Sequence, residues 1–189
     1  ERSTVPLNMT MLGEQTQPFV HDVDARWLMA YAAGINDLNP RYMDTSRFAV
    51  LGHPLFPVCL EWPAILGSRQ LRGFEAMTAA ENARGVHAAH DLHIYQPIVA
   101  GERYTTRATM IGLRAIKPGA AQTLRLDTFN RAGELVCQTW QLSISRDVAV
   151  LGEPAAGEAA PDLPDSSLGE PFSRRYELPV QAGAANIYT

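Results

Sequence analysis

Residues 86–148 lean strongly towards β-strand, in four consecutive segments: GVHAAHDLHIYQPI, GERYTTRATMIGLRAI, AQTLRLDTFNRA and GELVCQTWQLSISRDV. Turns are marked at Gly101-Glu102, Pro118-Gly119 and Ala132-Gly133, where glycine or proline punctuates the pattern. Connections this short join antiparallel neighbours, because a parallel pair needs a crossover of about a dozen residues or more. The last segment alternates: Leu135, Cys137, Thr139, Gln141 and Ser143 fall on one side, Val136, Trp140, Leu142 and Ile144 largely on the other. Residues 1–85 are instead helix-leaning with proline punctuation. Helices first, then consecutive antiparallel strands of ten or more residues, predict an α+β domain in which a curved antiparallel sheet wraps one buried helix.

Two helices are legible in the first half. In FVHDVDARWLMAYAAGIND, Asp24 is the expected N-cap, and Trp27, Leu28, Tyr31 and Ile35 recur at helical spacing to give one apolar face. In LFPVCLEWPAILGSRQLRG the apolar residues are dense enough for burial on most sides, with Pro63 expected to kink the helix or shift its start. The predicted domain spans residues 1–148. Residues 149–174, rich in Gly, Pro, Ala and acid, read as a solvated linker, and residues 175–189 regain apolar character.

With 46% hydrophobic and 19% charged residues, the 189-residue chain has an ordinary globular balance and the length to bury a core. A net charge of −4 without any run of Lys or Arg argues against nucleic acid or an anionic membrane as partner. No apolar stretch approaches the roughly 20 residues that cross a bilayer. Two cysteines, Cys59 and Cys137, suit a reducing compartment, so a cytoplasmic protein is expected.

Three histidines, His87, His90 and His93, are equally spaced. On a regular strand His87 and His93 point one way and His90 the other, so they converge on a metal only if the strand is bulged or the segment helical. No second cluster offers a further ligand, and no metal or cofactor is expected. Either cysteine can meet a histidine in space, but both sit among apolar residues, where thiols are usually inert. The nucleophile elbow, the dinucleotide glycine motif and the phosphate loop are all missing from the sequence.

The string YAAGINDLNPRYMDTSRFA resembles the hydratase signature of the MaoC-like, (R)-specific enoyl-CoA hydratase family, whose members have the hot-dog fold. In that signature an aromatic and small residues lead into Gly-Asp-x-Asn-Pro-x-His, with Ala further on. Tyr31 matches the aromatic position, Asp37 the catalytic aspartate, Asn39-Pro40 the following pair and Ala49 the later alanine. The segment from His87 through Pro97 to Gly101-Glu102 is similar to a second family pattern, and the resemblance covers roughly residues 10–148.

The resemblance implies a protein that adds water reversibly to the 2,3-double bond of an enoyl thioester, with Asp37, Asn39 and position 42 at the catalytic loop. Two positions depart from it: Asn36 stands where the family has Gly, and Tyr42 where it has the catalytic His. Histidine, with a reference pKa of about 6.5, suits proton shuttling near neutrality, whereas tyrosine, at about 10, does not. The expectation is therefore a loop with its scaffold kept and its shuttle missing, in a half that mainly shapes the acyl site. The apolar helix supplies the substrate-binding candidates: the backbone amides of Leu55 and Phe56 facing a thioester carbonyl, with Val58 and Glu61.

A non-catalytic acyl-binding or assembly module serving a catalytic partner is the alternative. A hot-dog thioesterase using Glu61 on the buried helix is a third reading. The partner class is acyl-CoA or another acyl thioester, and the resemblance implies a homodimer or a pseudo-dimer with a second hot-dog half. Residues 19–32 and 176–189 align at an offset of 157, with Phe19 opposite Tyr176, Val23 opposite Val180 and Tyr31 opposite Tyr188. A truncated second repeat starting at 175, in a double hot-dog protein whose other half carries the intact motif, is the expectation that follows.

Overall fold

The computed structural model describes residues 7–74 and 77–162, with 175, 177 and 179. The expected second repeat and the end of the linker lie outside the described residues. A short strand β1 (Leu7–Asn8) opens the chain, followed by β2 (Phe19–Val23), α1 (Ala25–Gly34), α2 (Pro40–Met43), α3 (Pro57–Gly67) and α4 (Ala79–Asn82). Then come β3 (Gly85–Ile94), β4 (Glu102–Ile116), β5 (Gly119–Phe129), β6 (Leu135–Arg146) and β7 (Val150–Leu151). Strands β2 to β6 form one antiparallel sheet in the order β2-β4-β5-β6-β3. Helix α3 packs mainly on β4 and β5, so it is the buried helix that the sequence predicts. It runs through Pro63 without a break.

The caps follow the residue chemistry. Asp24 Oδ1 accepts from the Trp27 N–H at 2.8 Å and starts α1. Thr78 and Glu81 form a reciprocal capping box on α4. At the β4–β5 hairpin Gly119 has φ of 148°, and a Cβ there would stand 2.1 Å from the Ser145 carbonyl oxygen. Only glycine lets the neighbouring β6 backbone come so near.

Two apolar clusters surround α3. One, with Val23, Leu28, Phe56, Leu60, Ile98 and Tyr104, lies around its N-terminal half. The other, with Ala64, Phe74, Met110, Leu113, Leu124 and Leu126, lies around its C-terminal half. A polar belt separates them: Thr106 and Thr128 share a hydrogen bond of 2.8 Å, and Thr139 donates to Glu61 at 2.5 Å. On β6 the side facing α3 is the polar one, Thr139, Gln141 and Ser143, because these pair across the sheet with the inward Leu126, Leu124 and Gln122.

The residues after β7 do not leave the domain at once. Ala155 pairs with Leu113, Glu158 meets Arg125 at 2.6 Å, and residues 159–162 lie beside His90–His93 of β3. Gly112 makes this crossing possible, since a Cβ there would stand 2.5 Å from the Ala156 oxygen. The stretch predicted as linker on composition therefore begins as a strap across the outer face of the sheet.

Both cysteines are free thiols, and burial pushes Cys59 up to about 11 and Cys137 up to about 12. The thiolate is the reactive form. A thiol reagent at mildly alkaline pH is therefore expected to leave both unmodified in the native protein and to label both after denaturation. Native labelling as fast as in the unfolded chain would contradict this burial. Among the described residues, no helix is long and apolar enough to cross a membrane.

Candidate functional site

The signature loop begins where α1 ends. Ile35 donates to the Tyr31 carbonyl and Asn36 takes φ of 60°. That left-handed conformation explains the family's glycine, and asparagine is among the few other residues that adopt it readily. Asp37 follows with its N–H on the Ala32 carbonyl at 2.9 Å, while its Oδ1 accepts from the Asn39 N–H at 3.1 Å. Asn39 Oδ1 accepts from the Arg41 N–H at 3.0 Å, and Pro40 takes the first position of α2. Asn39 thus shapes the loop as a cap.

The other carboxylate oxygen of Asp37 faces a residue that the signature does not include. His53 Nε2 lies 3.4 Å from Asp37 Oδ2, with the imidazole only 14% exposed and the carboxylate 40% exposed. The Leu55 N–H donates to His53 Nδ1 at 3.1 Å, so the neutral ring carries its proton on Nε2, towards Asp37. Tyr42 packs edge-on against the same imidazole at 5.3 Å, and Tyr31 stands 6.2 Å away while its hydroxyl donates to the Leu55 carbonyl.

His53 is held in place from across the molecule. Gly52 donates to the Ile98 carbonyl at 2.7 Å, Leu51 bridges to Val99, and Ala100 donates to the Val50 carbonyl. The chain between β3 and β4, including Pro97 and Gly101, thereby positions the turn that carries the imidazole. A polar imidazole at the doorstep of a very apolar helix was the one sequence signal available for it.

The backbone amides expected to face a thioester carbonyl are engaged within this turn. Leu55 N–H binds His53 Nδ1, and Phe56 N–H binds the His53 carbonyl at 2.7 Å. Phe56 is fully buried, Leu55 is exposed and Val58 is partly buried.

Glu61 lies one turn further into α3 and is fully buried. Its carboxylate accepts from the Thr139 hydroxyl and meets His90 Nε2 at 3.1 Å. The faces expected for the three histidines need correcting. A bulge between His87 and Ala89 shifts the β3 register, so His87 and His90 both point inward with rings 5.3 Å apart. His93 lies on the outer face against Trp140. Among the described residues, no group of histidine, cysteine and carboxylate side chains has metal-site geometry.

Residues 10–139 match the family described as the FAS1-like dehydratase domain region, and that span includes the loop, α3 and most of the sheet. The chain belongs to this family. A UPF0336 protein of Streptomyces coelicolor is 22% identical over 143 residues, covering 74% of this chain and 95% of that one. The MaoC-like dehydratase from Phytophthora capsici superposes with a TM-score of 0.62 at 21% identity, covering 82% of this chain and 55% of that one. The C-terminally truncated HadBC (3R)-hydroxyacyl-ACP dehydratase complex of Mycobacterium tuberculosis gives 0.60 at 15% identity, over 71% and 96% of the two chains. The (R)-hydratase from A. caviae gives 0.54 at 19%, over 70% and 95%.

The fold of this dehydratase-region domain is therefore the hot dog, and its family is of hydratase type. Within that frame the Asp37 loop at one end of α3 and the Glu61 network at its middle are distinct clusters. The first is partly open to solvent. The second is centred on the fully buried Glu61 and Thr139.

Proposed function

We propose that the chain is an acyl-thioester hydratase or dehydratase component in which Asp37 and His53 handle the water, with His53 taking the part that the signature gives to position 42. The observation that carries this reading is the 3.4 Å approach of His53 Nε2 to Asp37 Oδ2 on the signature loop. That gap is slightly long for a direct hydrogen bond, as is common in catalytic pairs without substrate.

The donor and acceptor roles suit a water held between them. Nε2–H donates to the water oxygen and Asp37 accepts one of its hydrogens. In hydration the water oxygen bonds to C3 of the 2-enoyl thioester as Asp37 takes a water proton, and Asp37 then gives that proton to C2. In dehydration Asp37 takes the C2 proton and returns it to the departing hydroxyl, which His53 steadies by its N–H. No cofactor enters this cycle. The first test is turnover of crotonyl-CoA and longer 2-enoyl-CoA esters by the purified protein. An absence of hydration at every chain length would count decisively against it.

The replacement of the signature histidine by Tyr42 supports a second reading, a non-catalytic acyl-binding module beside a catalytic partner. Acyl-CoA binding without turnover, coupled with stimulation of such a partner, would favour it. We infer that in either reading a second hot-dog unit pairs with this one. Among the described residues the ten-residue strand β3 is a sheet edge with no further strand paired to it, and Trp62 and Leu66 on α3, Val86 and Ile94 on β3 and Tyr95 just after it are exposed. An exposed edge with an apolar surround is what strand pairing covers.

A further inference from the structure

A cavity of about 180 Å³ lies between the C-terminal half of α3 and the inner face of the sheet. Its two walls differ in chemistry. Trp62 and Ile65 from the helix, with Phe74, make an apolar wall, Gln122, Gln141, Ser143 and Ser145 from β5 and β6 make a polar one, and the exposed Arg69 and His87 also line the cavity. Gln122 and Gln141 are only 3% and 2% exposed, which is unusual for glutamines on the core side of a sheet. Gln122 Nε2 donates to Ser145 Oγ at 2.7 Å, and Gln141 Nε2 donates to Ser143 Oγ at 2.6 Å. Gln141 Oε1 has no partner. Exchanging the amide's oxygen and nitrogen would satisfy the oxygen through the serine hydroxyl and leave the nitrogen free, so one polar atom of this buried side chain is unpaired either way.

We propose that this cavity binds a neutral ring or branched group carrying a hydroxyl or carbonyl, with the oxygen function on the Gln141 amide and the carbon skeleton on Trp62, Ile65 and Phe74. An apolar cavity of about 150 Å³ holds benzene, so this one suits a group of about seven heavy atoms. Helix α3 is about 16 Å long at 1.5 Å per residue, with Asp37 and His53 near its start. We assign the cavity to the far end of the acyl group, a role that rests on the dehydratase reading. A plain fatty tail would leave one polar atom of the buried Gln141 amide unpaired, and the cavity therefore discriminates against it.

Phenol and toluene are matched probes, with equal heavy-atom counts and a single hydroxyl exchanged for methyl. Each is titrated into the full chain while the Trp62 indole and Gln141 amide signals are followed by NMR. Phenol is expected to bind, and to bind tighter than toluene by about fivefold or more, since a lost buried hydrogen bond is costly. Gln141→Leu is expected to reverse the order, and Gln141→Met serves if the leucine variant folds poorly. Toluene binding at least as tightly as phenol in the unmodified protein would overturn the proposal, as would binding of neither. Because this measures binding alone, it separates from the enoyl-CoA assay. Phenol selectivity without turnover keeps the cavity and removes the dehydratase reading, and turnover without phenol selectivity does the reverse.

Discussion

Replacing His53 with alanine is expected to lower 2-enoyl-thioester hydration by roughly 10²–10³, the usual cost of losing one positioned hydrogen-bond donor to a reacting oxygen. Asp37→Asn should fall in the same range, because an amide accepts a hydrogen bond from water but cannot take its proton. The double variant should lose little more than either single one if the two side chains hold one water as a unit. Tyr42→Phe is the control, since it keeps the ring that packs on His53 at 5.3 Å and removes only the hydroxyl. A loss in Tyr42→Phe as large as in His53→Ala would transfer the donor's part to the Tyr42 hydroxyl. A His53→Ala variant with unaltered turnover would remove the imidazole from the mechanism.

The second large effect concerns stability. Glu61 has no exposed surface, and its carboxylate joins three elements: α3, β6 through Thr139 and β3 through His90. Truncating this side chain opens a cavity in the packing of α3 and leaves the Thr139 hydroxyl and the His90 ring without their acceptor, a change that typically costs roughly 2–5 kcal/mol. Glu61→Ala should therefore lower the denaturant midpoint markedly. Glu61→Gln, which keeps the volume and can still accept from Thr139, should cost only about 1 kcal/mol. Equal stability of Glu61→Ala and the parent would show that the network contributes nothing net. The same variants address the thioesterase alternative, as Glu61→Gln would abolish any thioester hydrolysis that used this carboxylate.

Much of the scaffold was legible because its signals are local. Asp24 precedes a helical apolar stripe and caps α1. Glycines at 101, 119 and 133 mark the sheet's turns, each with positive φ. The density of apolar residues around Leu60 identified the buried helix. What escaped depends on distant chain segments. The bulge at Ala88 is set by pairing with β6 and reverses the facing of His87 relative to His90, although the spacing of these residues looks regular. His53 stands 16 residues from Asp37 in sequence, and only the hydrogen bonds from 50–52 to 98–100 bring them together. The signature drew attention to position 42, whose side chain packs beside the His53 imidazole. The polar side of β6 was visible as alternation, yet nothing local said that Thr139, Gln141 and Ser143 face inward.

The strap across the outer face of the sheet also has a kinetic meaning. It is pinned at Ala155 and Glu158, and it reaches strand β3 by residues 159–162. The chain is thus handed over beside a long sheet edge that, among the described residues, has no further strand paired to it. A hot-dog unit tethered after Asp162 would meet that edge as an intramolecular event, at an effective concentration of the order of millimolar for a short flexible tether. An untethered copy at cellular dilution would have to find the same edge by diffusion. Cutting the strap's anchors, by Glu158→Ala or a bulky residue at Gly112, would lengthen the free tether and dilute the partner locally while leaving every contact on the β3 edge intact.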